Sequence, residues 1–558
     1  MSKVLLRKKK ATQGVILIDG YVDEPSCLGV PPYISPYARY TYGALLDLGF
    51  QPEQIWYVTI DVLRQSNFQA EKNAKQLFSG YDLALLIAGT TVPGHYLGGK
   101  PISLKEIKTI GDSFSGPLIL GGPITLCYKE FKGVDIILDE TCALGLYRYF
   151  SGNRGKGSAC SLDLIENFAV KGARVIRAHP NFPNLVNELE TYRGCLRRQH
   201  CKFCSEALKQ EHYARKPENV AAEVKALYLQ GGQYFRLGAQ TDLFLYGAHY
   251  SRKMGTFIPN PDYIHRLYSG IKKAAPGLRV LHMDNVNPST IATYPRKSEE
   301  IISTIVSYNT PGDTSAFGLE SSDPLVIEKN NIGTTPEDTF LAVAIMNRVG
   351  GVREDGIYKL LPGVNFLYGL QGERPKTYEE NYRFLKNILD EGLLLRRINL
   401  RQVREMAGYR GEKLDVQKFR AHKERVNQEI NLPMLKRVFP TGVVLRNVLA
   451  EKREGHTTFG RQLGTYPILV GIPGEHPLGA FMDVKVIDHG YRSITALPYP
   501  FNINRASLAE LQALPGIGKK RASWLKSNQP FKSPEALIQV LDASVDIELL
   551  NDLIDDYS

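Results

Sequence analysis

The stretch Tyr192-Arg193-Gly194-Cys195-Leu196-Arg197-Arg198-Gln199-His200-Cys201-Lys202-Phe203-Cys204 decides how this chain is read. The chain has seven cysteines in 558 residues, and three of them fall here, spaced Cys-x5-Cys-x2-Cys. The motif sits on a loop just after a predicted strand. A short loop can bring three thiolates to one soft metal centre. Arg193, Arg197, Arg198 and Lys202 favour the thiolate forms and offset their charge. Three readings compete: a structural zinc site with His200 as fourth ligand, three unrelated thiols, or a [4Fe–4S] cluster on Cys195, Cys201 and Cys204 with one open iron. The cluster accounts best for thiols gathered in a cationic loop.

Working outward, residues 185–436 alternate strands with helical stretches. Tyr234-Phe235-Arg236-Leu237, Ser315-Ala316-Phe317-Gly318-Leu319 and Val364-Asn365-Phe366-Leu367-Tyr368 are such strands. Repeated strand–helix units predict a complete or partial barrel with functional groups at the C-terminal strand ends. Residues 1–150 also alternate, through Val15-Ile16-Leu17-Ile18, Leu83-Ala84-Leu85-Leu86-Ile87 and Pro117-Leu118-Ile119-Leu120, which predicts a doubly wound parallel sheet of Rossmann type. Residues 151–184 read as a linker. Over 437–497, short β-rich runs such as Tyr466-Pro467-Ile468-Leu469-Val470-Gly471 predict a small β-barrel. Residues 498–558 read as helical. The fold class is thus α/β, with a small β-barrel and a helical domain at the C-terminus.

Hydrophobic residues are 43% and charged residues 23% of the chain, an ordinary globular composition that excludes disorder and collagen-like repeats. The formal net charge of +11 is compatible with nucleic acid or an acidic partner and diagnostic of neither. An odd, sparse cysteine set argues against a disulfide framework and for thiolates in a reducing compartment. No apolar run approaches the roughly 18 residues of a membrane span, and Met1–Ala11 lacks the apolar stretch of a signal peptide. A cytoplasmic location without membrane association is expected.

The cysteine segment resembles the signature of the radical S-adenosylmethionine (SAM) superfamily. That signature usually runs Cys-x3-Cys-x2-Cys with an aromatic residue before the last cysteine, here Phe203. The x5 gap departs from it. Gly238-Ala239-Gln240 stands where members often carry a Gly-Gly-Glu for the SAM amino group. Here Gln240 would serve with backbone carbonyls and its amide oxygen. Gly318-Leu319-Glu320-Ser321-Ser322 resembles the ribose and carboxylate contacts, which implicates Glu320 and Ser322. Gly363 to Glu373 resembles the strand and glycine turn beside adenine.

The first block resembles the cobalamin-binding domain of class B radical SAM methyltransferases. The matching pieces are Leu17-Ile18-Asp19-Gly20-Tyr21, the turn containing Thr90 and Thr91, and Gly121-Gly122-Pro123. The family's Asp-x-His-x-x-Gly is absent. Tyr21 stands at the histidine position and Glu24 at the glycine, so the resemblance implies cobalamin without a histidine below the cobalt. The third block resembles a TRAM domain. The fourth resembles a helix-hairpin-helix unit, through Leu514-Pro515-Gly516-Ile517-Gly518-Lys519-Lys520.

Together these imply a [4Fe–4S] cluster, SAM and cobalamin. The implied reaction is radical C-methylation of an unactivated sp3 carbon, with the cofactors carrying the hard steps. Domain order is similar to archaeal enzymes associated with methanogenesis. The resemblance implies a protein substrate, a glutamine of methyl-coenzyme M reductase, and a separate electron donor. The alternative is an RNA-modifying radical SAM enzyme, such as a tRNA methylthiotransferase, that grips RNA through the two C-terminal domains. Against it, Cys27, Cys127, Cys142 and Cys160 are spaced unlike a second-cluster set. A non-enzymatic nucleic-acid adaptor leaves the cysteine cluster unexplained. No catalytic side chain is singled out.

Overall fold

The computed structural model describes residues 14–23, 28–90, 96–152, 158–405, 408–539, 541 and 545–557. Its first strands are β1 (Val15–Asp19), β2 (Tyr33–Ile34), β3 (Ile55–Thr59), β4 (Leu83–Ile87), β5 (Leu118–Gly121) and β6 (Ile136–Ile137). Five of them form a parallel sheet in the order β3-β1-β4-β5-β6. β1 is apolar along its length because both its faces are covered: Val15 and Leu17 enter one core, Ile16 and Ile18 another. The order reverses between β1 and β4. In such sheets a ligand crevice opens beyond the C-terminal strand ends at that switch point.

β2 leaves this sheet and pairs with the next domain. There the strands are β7 (Val186–Glu190), the short pair β8 (Tyr192–Arg193) and β9 (Tyr213–Ala214), β10 (Tyr234–Gly238), a hairpin β11 (His249–Ser251) and β12 (Thr256–Ile258), β13 (Val280–Met283), β14 (Asn285–Val286), β15 (Asp313–Glu320), a hairpin β16 (Arg353–Glu354) and β17 (Ile357–Tyr358), β18 (Leu360–Tyr368) and β19 (Arg397–Gln402). Two parallel sheets, β13-β10-β7-β2 and β14-β15-β18-β19, meet where the chain passes through Asp284. They make an open barrel. Phe235, Leu237, Phe317, Leu319, Val364, Phe366, Ile398 and Leu400 pack outward against the helices. Alternation therefore turns Arg236, Asn365, Arg397 and Asn399 into the lumen, where Asn399 Nδ2 donates to Asn365 Oδ1 at 3.1 Å.

The residues expected as a linker carry the helix Ser158–Gly172 and a 3-10 turn, Ala173–Ala178. That helix packs on the helix Pro36–Asp47, so this stretch belongs to the core. Between the first sheet and the barrel lies a buried ion network. Arg39 reaches Glu223 at 2.7 Å; Arg215 reaches Glu223 at 2.5 Å and Glu166 at 2.6 Å.

The C-terminal strands are β20 (Val444–Glu454), β21 (Thr457–Gln462), β22 (Leu469–Pro473), β23 (Phe481–His489) and β24 (Ser493–Pro498). They close into a barrel in the order β20-β21-β22-β24-β23, with only β22 and β24 parallel. That is an OB-type arrangement. The expected strand at Tyr466–Gly471 starts only at Leu469. Leu463–Ile468 leave the barrel as a loop that packs into the larger domain. Beyond lie the helices Leu508–Ala513, Lys519–Asn528, Pro534–Ile538 and Ile547–Leu553. Their core includes Ile487 and Leu497 of the small barrel. Among the described residues no helix is long and apolar enough to cross a membrane.

Candidate functional site

The β8–β9 pair forms the stem of the cysteine loop, with Tyr192 opposite Ala214 and Arg193 opposite Tyr213. Cys195, Cys201 and Cys204 are free and half-buried. The loop is pinned from outside the cysteines. Lys202 N–H donates to the Asn330 carbonyl at 3.1 Å, and Arg197 donates to the Asn331 carbonyl at 3.2 Å and to Cys201 Sγ at 3.2 Å. Phe203 packs edge-on to Tyr409, ring centroids 6.2 Å apart, so its place is that of an anchor.

Burial raises all three thiols, Cys204 to about 12. Cys201 also pushes up both Cys195 and Cys204, so the three groups share one electrostatic neighbourhood, which Arg197 relieves at Cys195 and Cys201. Metal binding removes that cost, because ligating thiols bind as thiolates. His200 Nε2 lies 3.4 Å from the Cys195 carbonyl. Among the described residues no three Cys, His, Asp or Glu side chains gather at single-ion distance. A donor set of three separated thiols suits a cubane, where each thiolate takes a different iron.

The strand ends expected to hold SAM flank this loop. Ala239 and Glu320 both adopt left-handed backbone, φ 61° and 66°, at the tips of β10 and β15. The Glu320 carboxylate lies close enough to Cys201 to raise its thiol. Gln240 is buried, and its amide is already used: Nε2 donates to the Leu237 carbonyl at 2.8 Å and Oε1 accepts from Thr191 at 3.3 Å. The amide oxygen keeps a second lone pair, so this strand end carries it beside backbone groups. Ser322 N–H donates to Asn381 Oδ1 at 2.7 Å, while its own buried hydroxyl has no hydrogen-bond partner among the described residues. That orphaned donor beside the cluster loop fits a polar cofactor such as SAM.

At the switch point of the first sheet, Tyr21 is 2% exposed and its hydroxyl donates to Asp61 at 3.1 Å. It stands as a packed strand-end residue. Asp61, in turn, lines a groove of about 720 Å³ with Arg64, Leu97, Gly99, Lys100 and Ser103. Thr90 is half-buried at the end of β4; Thr91 lies outside the described residues. Gly121 leaves room for Cys142, whose Sγ would meet a Cβ there at 2.6 Å. Gly122, at φ 99°, makes the turn into Pro123 and the short helix Ile124–Cys127. That helix packs on the turn Ser205–Leu208 of the cysteine loop. Gln210 N–H donates to Glu140 at 3.0 Å, and Arg404 donates to the Tyr128 hydroxyl at 2.9 Å. The C-terminal edge of the first sheet therefore abuts the cysteine loop and the end of β19.

Several residues escaped the sequence reading. Glu140, Arg236, Asp284 and Tyr466 act in pairs formed between residues far apart in the chain, which leave no local pattern. The small barrel's loop meets the larger barrel at His282, where Thr465 N–H donates to Nδ1 at 3.0 Å and Nε2 faces the Pro311 carbonyl at 3.3 Å. A neutral imidazole satisfies both. Burial lowers His282 from 6.5 to about 4, so the unfolded chain binds the proton first. Stability from this contact is complete above pH 6.5 and falls toward pH 4, by up to about 3 kcal/mol. Melting curves from pH 7.5 to 5 are expected to fall more steeply for wild type than for His282→Asn; equal slopes would contradict this.

Residues 189–385 match the Radical SAM superfamily. An uncharacterised protein of Archaeoglobus fulgidus is 43% identical over 515 residues, covering 90% of this chain and 94% of that protein. One of Methanocaldococcus jannaschii is 39% identical over 514 residues, covering 86% and 92%. Among solved structures the chain is similar to TsrM of Kitasatospora setae, a radical SAM methyltransferase with cobalamin and a [4Fe–4S] cluster bound, at 15% identity and a TM-score of 0.47 over 71% of this chain and 73% of that one. The chain belongs to one family with the two archaeal proteins, and its residues 189–385 are a radical SAM domain, which implies a [4Fe–4S] cluster and SAM.

Proposed function

We propose that the protein is a cobalamin-dependent radical SAM methyltransferase acting on an unactivated sp3 carbon of a polypeptide side chain. One observation carries this reading. The crevice edge of the first sheet, at Gly121–Cys127 and Glu140, packs directly on the cysteine loop. A corrin held at that crevice would face the radical centre. The groove walled by Asp61, Arg64 and Lys100 gives polar room for its nucleotide tail. When bound, SAM and the cluster supply a carbon-centred radical, and the corrin supplies the methyl group.

The protein's own contribution is to hold and screen. Cys195, Cys201 and Cys204 would take the cluster, with Arg197 offsetting its charge. The strand ends at Gly238–Gln240 and Glu320–Ser322 would take SAM through backbone groups and the Ser322 hydroxyl. Asn365, Asn399 and Arg397 give the lumen a polar lining suited to an amide-bearing acceptor.

The OB-type barrel favours a second reading, RNA modification, since strands two and three of such barrels bind oligonucleotides. Here that face is engaged by the chain itself. Arg461 of β21 donates to the Gly29 carbonyl at 3.1 Å and to the Pro31 carbonyl, and the helix Leu508–Ala513 packs on β22. This supports a protein substrate.

The test is anaerobic incubation of reconstituted enzyme with SAM, a reductant and either a glutamine-containing peptide of methyl-coenzyme M reductase or bulk tRNA. One added methyl mass on the peptide is expected. Methylation of RNA with none on the peptide would reverse the ranking.

A further inference from the structure

Tyr466 is the residue at which the small barrel enters the radical domain. It adopts left-handed backbone, φ 47°, immediately before Pro467. A bulky residue there is a conformational outlier, and proline disfavours helical conformations for the residue before it. Such strain persists only where surrounding contacts over-determine it. The Tyr466 ring lies under the Arg397 guanidinium at 3.7 Å and beside Arg236 at 5.6 Å. Its hydroxyl donates to Asp284 Oδ1 at 2.6 Å. It thus touches both sheets of the open barrel, β10 on one side and β19 on the other.

Asp284 is the seam between those sheets, the residue separating β13 from β14. It is buried, Arg236 donates to its other oxygen, and its carbonyl accepts from Ala316 of β15 at 3.0 Å. The next residue, Asn285, donates through Nδ2 to the Gln240 carbonyl at 3.3 Å. One continuous route therefore runs from the small barrel through Tyr466 and Asp284 to Asn285, and from there to the strand end read above as a SAM contact.

We propose that Tyr466 is a positioning residue for SAM: the C-terminal barrel, through Tyr466, fixes the Asp284 seam from which Asn285 sets the Gln240 backbone. The small barrel is then a working part of the radical domain. The proposal rests on the reading of Gly238–Gln240 as a SAM contact. It does not depend on cobalamin or on the identity of the methyl acceptor.

The experiment uses the full chain with its reconstituted cluster. Tyr466→Phe keeps the ring over Arg397 and removes only the hydroxyl. It is expected to retain wild-type iron content yet bind SAM about 5- to 10-fold more weakly, less than the full worth of a hydrogen bond to a charged group because Tyr466 acts on SAM only through Asp284 and Asn285. The change in the electron paramagnetic resonance spectrum of the reduced cluster on SAM addition should need correspondingly more SAM. Asn285→Ala should show the same loss, and the double variant no more than the larger single one. Wild-type SAM affinity in Tyr466→Phe, or losses that multiply in the double variant, would overturn the proposal. Amide exchange over residues 283–287 reads the same link without SAM. Faster exchange in Tyr466→Phe is expected, and unchanged exchange would overturn it. If wild type itself binds no SAM, the reading of the Gly238–Gln240 strand end fails and the proposal with it.

Discussion

With Cys195, Cys201 and Cys204 all changed to Ala, the protein is expected to purify folded and iron-free, with SAM cleavage at background. The fold should survive because, among the described residues, the thiols give the loop a single side-chain hydrogen bond, from Arg197 to Cys201 Sγ. The β8–β9 stem, the Arg197–Asn331 and Lys202–Asn330 hydrogen bonds and the Phe203–Tyr409 contact remain to hold it. The thiols are half-buried and make no disulfide, so truncating them forfeits little packing. Chemistry should fail because the iron would lose every thiolate the loop provides. Iron content, visible absorption and 5′-deoxyadenosine yield check the result. An iron-loaded, SAM-cleaving triple variant would contradict the assignment of these ligands.

Glu223→Ala is expected to give the largest loss of stability. Glu223 is fully buried between Arg39 and Arg215, both also fully buried. Burial alone would raise its carboxyl, but Arg215 and Arg39 outweigh that and hold it below the ordinary range. Removing the carboxylate leaves two guanidiniums underpaired in the interior, and breaking a buried pair from one side costs about 3–5 kcal/mol. Arg215 retains Glu166 and the Tyr40 hydroxyl, which sets the loss toward the lower end. Glu223→Gln keeps the side-chain volume and one acceptor oxygen for its donors and should cost less than Glu223→Ala. Denaturant melts check both. A Glu223→Ala protein as stable as wild type would show that this network does not tie the first sheet to the barrel.

What the sequence disclosed follows from locality. The three cysteines lie within one loop, and β1, β4 and β5 are continuous apolar runs ending in glycine turns; such signals are complete within a few residues. The helix Ser158–Gly172 leaves no local signal of belonging to the core because its partner helix lies more than a hundred residues upstream. Tyr466–Gly471 reads as strand from composition, yet the strand starts at Leu469 and Tyr466 serves Asp284 and Arg397 in another domain. Gln240 carries the expected amide oxygen, and only the fold reveals that Thr191 already donates to it. Tyr21 stood at a ligand position by alignment with a motif, and only the fold reveals that Asp61 holds its hydroxyl.

In the function proposed above, one chain holds a corrin and a radical cluster face to face. The direct measurement is anaerobic reconstitution of the full chain with iron, sulfide and hydroxocobalamin, followed by desalting, metal and corrin analysis and optical spectra. The account predicts that both a [4Fe–4S] cluster and a corrin are retained together. It also predicts that SAM cleavage begins on reduction. Zinc in place of iron, or a cluster-loaded protein that retains no corrin, would contradict it.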